Sequence, residues 1–259
     1  MTPFLRPRPI TDPRVRLVVF HHAGGSGSTF YPLIKRLPVD WDVLLFDLPG
    51  RGRRHGEPAI ERMDVLVAQV RKDLADWCED VPLALFGHSL GAIVASELAR
   101  TLAGEGTEPV WLGVSGRQAP TLPPRRTGLH LLSDEDLLAQ LADLGGTPGQ
   151  LLKEPDFVKM LLGYTRADFA AVDSFNPVAN RTPLNCPIDA YAANADPWAL
   201  PPTMAAWEAE TSADFSLHRL HGGHFYFMQD QFAALAERLD FDLSDACDAA
   251  YPAPRSLRA

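Results

Sequence analysis

Three cysteines in 259 residues, Cys78, Cys186 and Cys247, are too few and too scattered for a disulfide framework, and they read as reduced thiols. No Cys/His pair has the spacing of a metal site, so neither a metal nor another cofactor is expected. Positive charge is also short. Against 33 Asp and Glu stand 24 Lys and Arg, a formal net charge of −9. A general nucleic-acid binder carries a basic surface, and that class is excluded. Nowhere does an apolar run approach the ~20 residues of a membrane helix. Residues 1–13, rich in Pro and Arg, lack the apolar core of a secretory signal, so a cytoplasmic location is expected and Asn180-Arg181-Thr182 is a chance sequon. What is there is an ordinary balance, 46% hydrophobic and 22% charged, on a chain long enough to bury a substantial core.

Apolar runs recur at the spacing of an α/β fold. Strands are expected over Val15–Phe20, Val43–Asp47, Leu83–Phe86, Val110–Ser115, Ile188–Ala193 and Phe215–Leu220. Most are near-continuous in Val, Leu, Ile and Phe, as parallel strands covered on both faces must be. Between them the spacing predicts helices over Thr29–Leu37, Arg62–Cys78, Leu90–Leu102, Thr203–Glu210 and Met228–Leu239. In the second of these, Met63, Leu66, Val67, Val70 and Leu74 follow steps of three and four, which buries one face. The alternation predicts a mainly parallel, doubly wound sheet flanked by helices. One stretch breaks it. From about 117 to 185 there is no strand pattern, only a capped start at Ser133, a stripe of Leu137, Leu138, Leu141 and Leu144, and a helix from Pro155 to about Ser174. A helical lid is the expectation. A flexible N-terminus over 1–14, a domain over 15–241 and a disordered tail over 242–259 complete the plan.

Gly87-His88-Ser89-Leu90-Gly91 has the form G-x-S-x-G between an apolar strand and an Ala-rich helix. Glycines two residues either side let the chain turn sharply and leave a serine hydroxyl exposed above the sheet. A nucleophilic serine needs a base and a carboxylate to orient it, in the chain order serine, acid, histidine. His224, after two glycines beyond the last strand, is the candidate base, with His221 its rival. Asp196, in the turn after the Ile188 strand, is the candidate acid; Asp189 lies inside that strand and Asp173 in the insertion. An oxyanion needs two backbone N–H donors. Leu90 follows the nucleophile, and Ala23 lies in the loop His21-His22-Ala23-Gly24-Gly25 after the first strand. A phosphate-cradling loop is the alternative reading of this glycine cluster, a weak one because no Gly-Lys-Ser/Thr follows.

The chain resembles the type II thioesterases, editing hydrolases of polyketide and nonribosomal peptide biosynthesis within the α/β-hydrolase superfamily. The resemblance rests on Phe20 to Gly25, Asp47-Leu48-Pro49-Gly50-Arg51-Gly52-Arg53, Gly87 to Gly91, Leu144 to Pro148, Arg166-Ala167-Asp168-Phe169, Cys186-Pro187-Ile188, Asp196 and Gly222-Gly223-His224-Phe225. It implies Ser89, Asp196 and His224 as triad, Ala23 and Leu90 as oxyanion hole, and an acyl or peptidyl carrier protein bearing a phosphopantetheine thioester as partner. His21 stands where the family has proline, which leaves the loop freer. Lid residues Leu138, Leu141, Phe169 and Val172 are candidates for the acyl chamber. Carrier proteins of this kind are acidic, so docking calls for a basic patch. Arg51, Arg53 and Arg54 form one cluster, Arg117, Arg125 and Arg126 another. A monomer is expected. The alternatives are a carboxylesterase or lipase on the same fold, a chain-releasing thioesterase, or a catalytically idle binding partner.

Overall fold

The structure, a computed structural model, describes residues 2–78, 81–124, 127–147, 149–178, 180–228 and 231–251. Seven strands form one sheet: β1 (Phe4–Leu5), β2 (Val15–Phe20), β3 (Trp41–Phe46), β4 (Leu83–His88), β5 (Trp111–Ser115), β6 (Ile188–Ala193) and β7 (Phe215–Leu220). Their spatial order is β1-β3-β2-β4-β5-β6-β7. Only β1 is antiparallel. The sheet is therefore mainly parallel with crossover connections, the α/β-hydrolase architecture expected from the sequence.

Alternate residues of a strand face opposite ways, and the two cores sort accordingly. Val18, Phe20, Leu44 and Phe46 face the layer of α1 (Met63–Asp73) and α2 (Leu90–Gly104). Val15, Leu17, Val19, Val43 and Leu45 face α6 (Phe232–Ala250). Burial on both faces is what made these strands continuous apolar runs. Between β5 and β6 lies the lid, built from α3 (Asp134–Leu144) and α4 (Pro155–Ser174). The Ser133 hydroxyl caps α3 by accepting the Asp136 N–H at 3.1 Å. Leu137, Leu162 and Phe169 close a separate small lid core. A short helix, α5 (Pro201–Met204), follows β6. Among the described residues no helix is long and apolar enough to cross a membrane.

Three expectations need correction. The N-terminus is not loose: Phe4 and Leu5 pair with β3, and Arg6 bonds the buried Asp42 at 2.6 Å. The Thr29–Leu37 helix is a 3-10 turn over Gly27–Leu33 with Pro32 inside it, where the missing N–H and rigid ring work against an α-helix. The final helix starts late, at Phe232, and runs past Asp242 to Ala250 because Leu243, Ala246 and Cys247 continue its buried face. Of the expected tail, residues 252–259 lie outside the described ones.

Candidate active site

The turn from β4 to α2 holds Ser89 at φ 57°, ψ −114°. A non-glycine residue there is strained, and such strain persists only where neighbours enforce it. The enforcement is visible. The Ser89 N–H donates to the Ser115 carbonyl at 2.8 Å, and the Ser89 carbonyl accepts from Ala92 at 3.1 Å. A Cβ on Gly87 would run into the Gly91 carbonyl, and one on Gly91 into the Phe20 carbonyl. Both glycines are therefore required by close backbone approach. Leu90 opens α2, so its N–H belongs to the first turn, which has no intrahelical acceptor and carries the positive end of the helix dipole.

Asp196 and His224 are brought together from the loops after β6 and β7. His224 Nδ1 lies 2.9 Å from Asp196 Oδ2, both side chains at most 2% exposed. Asp196 Oδ1 accepts the Trp198 N–H at 2.8 Å, and Ala195 donates to the Gly222 carbonyl at 3.0 Å, locking the two loops to each other. A carboxylate facing Nδ1 makes that nitrogen the donor and leaves Nε2 as the basic one. Ser89 and His224 line the same cavity, with Ala23, Leu141, Phe169 and Trp198. The rivals are engaged elsewhere. Asp189 accepts from Trp111 Nε1 and faces His218, Asp173 faces His130, and His221 is exposed.

Two further histidines, His22 and His88, crowd the site although neither stands in the order serine, acid, histidine. His88 lies tilted against His224, ring centroids 4.7 Å apart, with Nδ1 2.8 Å from the Ser115 hydroxyl. Burial holds His88 well below the usual imidazole range and brings His22 down to about 3, with His224 the next cause for each. Both stay neutral, so a proton placed on His224 meets no second imidazolium beside it.

His21, in place of proline, does not free the loop. Its Nδ1 donates to the His22 carbonyl at 2.8 Å, and its Nε2 accepts the Leu48 N–H at 3.3 Å. Burial keeps this ring neutral as well. Asp47 adds a second tie, accepting from Gly27 at 2.8 Å and Arg53 at 3.0 Å.

The space over Ser89 measures about 20 Å³, room for one water, so the lid lies closed on it. Of the four lid candidates, Leu141 and Phe169 reach this space. Leu138 packs in the lid core, and Val172 faces the main core and a cavity of about 620 Å³ at the lid base. Helical periodicity turns them away. A groove of about 760 Å³ adjoins the site, sharing His22, Gly24, Thr147 and Leu161 with it.

The arginine clusters divide. Arg51 is buried against Asp168, and Arg54 is buried between Glu57 and Asp73, so neither is available to a partner. Arg53 is exposed. Arg117 turns inward to the 620 Å³ cavity, where burial brings its guanidinium down to about 10. Arg125 and Arg126 lie outside the described residues.

Known proteins resemble this arrangement along nearly the whole chain. Residues 15–243 match the family described as Thioesterase domain. Thioesterase PikA5 of Streptomyces venezuelae is 38% identical over 240 residues, covering 92% of this chain and 82% of its own. RedJ, a thioesterase from the prodiginine pathway of Streptomyces coelicolor, superposes with TM-score 0.83 at 34% identity, over 91% of each chain. BorB, the type II thioesterase of the borrelidin cluster, gives 0.82 at 34%, over 94% of this chain and 97% of its own.

Proposed function

We propose, from the premise that this chain belongs to the type II thioesterase family, that Ser89, Asp196 and His224 are its catalytic triad. The protein is a hydrolase that removes stalled acyl or peptidyl units from the carrier proteins of polyketide and nonribosomal peptide assembly. The observation that carries the residue assignment is the buried 2.9 Å contact between His224 and Asp196 in the cavity that Ser89 lines.

His224 Nε2 takes the proton as Ser89 Oγ attacks the thioester carbon, and Asp196 holds the ring in the tautomer this needs. The carbonyl oxygen becomes an oxyanion, which the Ala23 and Leu90 N–H groups receive. The carbon–sulfur bond then breaks, and His224 returns the proton to the departing thiolate. A thiolate is a good leaving group and asks little of the acid. Water next attacks the acyl-serine, again giving a proton to His224, and the acid product leaves as Ser89 regains its hydrogen. Around this step the neutral His22 and His88 keep the site free of competing positive charge.

The closed cavity means that the lid lifts for each substrate. The adjoining groove, open to the same residues, offers the approach for the carrier's arm. A cytoplasmic location suits a partner of that kind. Comparing an acyl-carrier thioester with an oxygen ester of the same acyl group tests the reading. Preference for the thioester by one order of magnitude or more is expected; equal turnover would make the protein a general esterase.

A further inference from the structure

Asp168 belongs to the lid helix α4, yet its carboxylate is directed at two loops of the core. The first is the turn His22–Gly25, closed by the Gly25 N–H donating to the His22 carbonyl at 3.0 Å. Gly24 sits third in it at φ 77°, as a type II turn requires. The turn's own bond uses neither central amide. One of them, the Gly24 N–H, donates to Asp168 Oδ2 at 2.8 Å. The other, on Ala23, meets no acceptor among the described residues, and Ala23 lines the Ser89 cavity.

Asp168 is itself fixed from the second loop. Arg51 donates to both carboxylate oxygens, Nη2 to Oδ1 at 2.8 Å, and to the Pro49 carbonyl at 3.0 Å. Its guanidinium lies over the Tyr164 ring, 5.1 Å from the centroid. The two charged side chains are only 4% and 2% exposed. A buried pair of this kind is costly to desolvate, and an apolar pair of the same volume is often as stable, so fold stability alone does not account for it.

We infer that Asp168 is a positioning residue for the oxyanion hole. It holds the Ala23–Gly24 peptide plane through the Gly24 amide. Peptide units are rigid, so only the φ and ψ of Ala23 separate that plane from the Ala23 N–H. The fixed turn aims this N–H at the cavity. Because the carboxylate comes from α4, the aim depends on that helix's contact with the turn. Lid and turn are in close contact besides: a Cβ on Gly24 would come within 2.7 Å of Thr165 Oγ1 on the same helix. This inference rests on the reading that Ala23 supplies an oxyanion donor.

The test uses two double variants, Arg51→Met with Asp168→Leu and Arg51→Met with Asp168→Asn, beside Ser89→Ala. The first removes the charge pair and the acceptor for Gly24; the second restores an acceptor without the charge. Substrate is a short S-acyl-N-acetylcysteamine, and an alkyl boronic acid serves as transition-state mimic. For the Leu variant kcat should fall about 100-fold, the scale of losing one oxyanion donor, with boronate affinity falling in parallel. KM should change far less than kcat, since the interaction lost is made in the transition state. The Asn variant should recover about tenfold of the lost kcat. A Leu variant with wild-type kcat, or with loss confined to melting temperature or KM, overturns the positioning role while a dead Ser89→Ala keeps the serine mechanism intact. Full turnover by Ser89→Ala would instead sink the mechanism beneath it.

Discussion

The Ser89 N–H donates to the carbonyl of Ser115 at 2.8 Å, anchoring a strained residue at the end of β4 to the end of β5. The unusual Ser89 backbone is thus held by a neighbouring strand as well as by the helix that follows it. The glycines at 87 and 91 permit that arrangement, since a side chain at either would meet backbone atoms that cannot move aside.

Gly91→Ala should therefore destabilise the protein by about 1–3 kcal/mol, the usual cost of forced overpacking. It should also abolish labelling of Ser89 by a fluorophosphonate. Gly104→Ala at the other end of α2, where a Cβ meets open space, should leave labelling unchanged. Thermal melts and gel-based probe labelling of the pair check both outcomes.

Asp196→Asn keeps the shape of the acid but can present an amide to His224 Nδ1, which then stabilises the wrong tautomer. Here kcat should drop by about 10⁴-fold with little change in melting temperature. Steady-state kinetics alongside a melt will separate a lost orientation from a lost fold.

Phe169 and Leu141 form the lid side of the small cavity over Ser89. Removing the ring in Phe169→Ala should enlarge it and shift preference toward longer acyl groups by about tenfold, the scale of one to two methylenes. A series of acyl thioesters of increasing length reads this as a change in the ratio of kcat/KM values.

Within its cluster, Arg53 is the exposed member, because Arg51 and Arg54 are themselves buried and paired with acidic side chains. Arg53→Glu should weaken hydrolysis of a carrier-bound acyl group several-fold and leave a free short thioester unaffected, since a rim charge acts on encounter. Equal effects on both substrates would remove Arg53 from the docking surface.

At the sheet's far edge, His218 Nε2 lies 2.7 Å from Asp189 and 3.1 Å from Asp242. Burial alone would lower its pKa, yet the two carboxylates raise it to about 9. Asp242 is buried too, but its bonds to His218, Arg238 and Tyr191 bring it down to about 2. The protonated histidine favours the folded state fully below about pH 6.5, and that contribution is lost as pH rises through 9. The Asp242 contribution is present above about pH 4 and is lost as pH falls toward 2. Melting temperature should thus be highest between about pH 4 and 6.5, and His218→Gln should flatten the alkaline limb.

Much of this fold was legible because most of its strands are buried on both faces, although the edge strand β7 is only half-buried. The runs Val15–Phe20, Ile188–Ala193 and Phe215–Leu220 coincide with β2, β6 and β7. β1 escaped notice since two residues have no periodicity and are defined only by their partners on β3. The last turns of α6 were hidden by their acidic composition, which masks Leu243, Ala246 and Cys247 at helical spacing. In the site, short motifs flag single residues but not what faces them. Nothing in the local sequence pairs Arg51 with Asp168 across 117 positions, nor sets the rings of His22 and His88 within 6.1 Å of one another. Those relations arise from the sheet order and the docking of the lid.

The most direct measurement is mass spectrometry of the protein quenched during turnover of an acyl-carrier thioester. The acyl mass is expected on the peptide carrying Ser89, and should disappear together with hydrolysis in Ser89→Ala. Acyl transfer to another residue, or undiminished hydrolysis by that variant, would contradict Ser89 as the nucleophile.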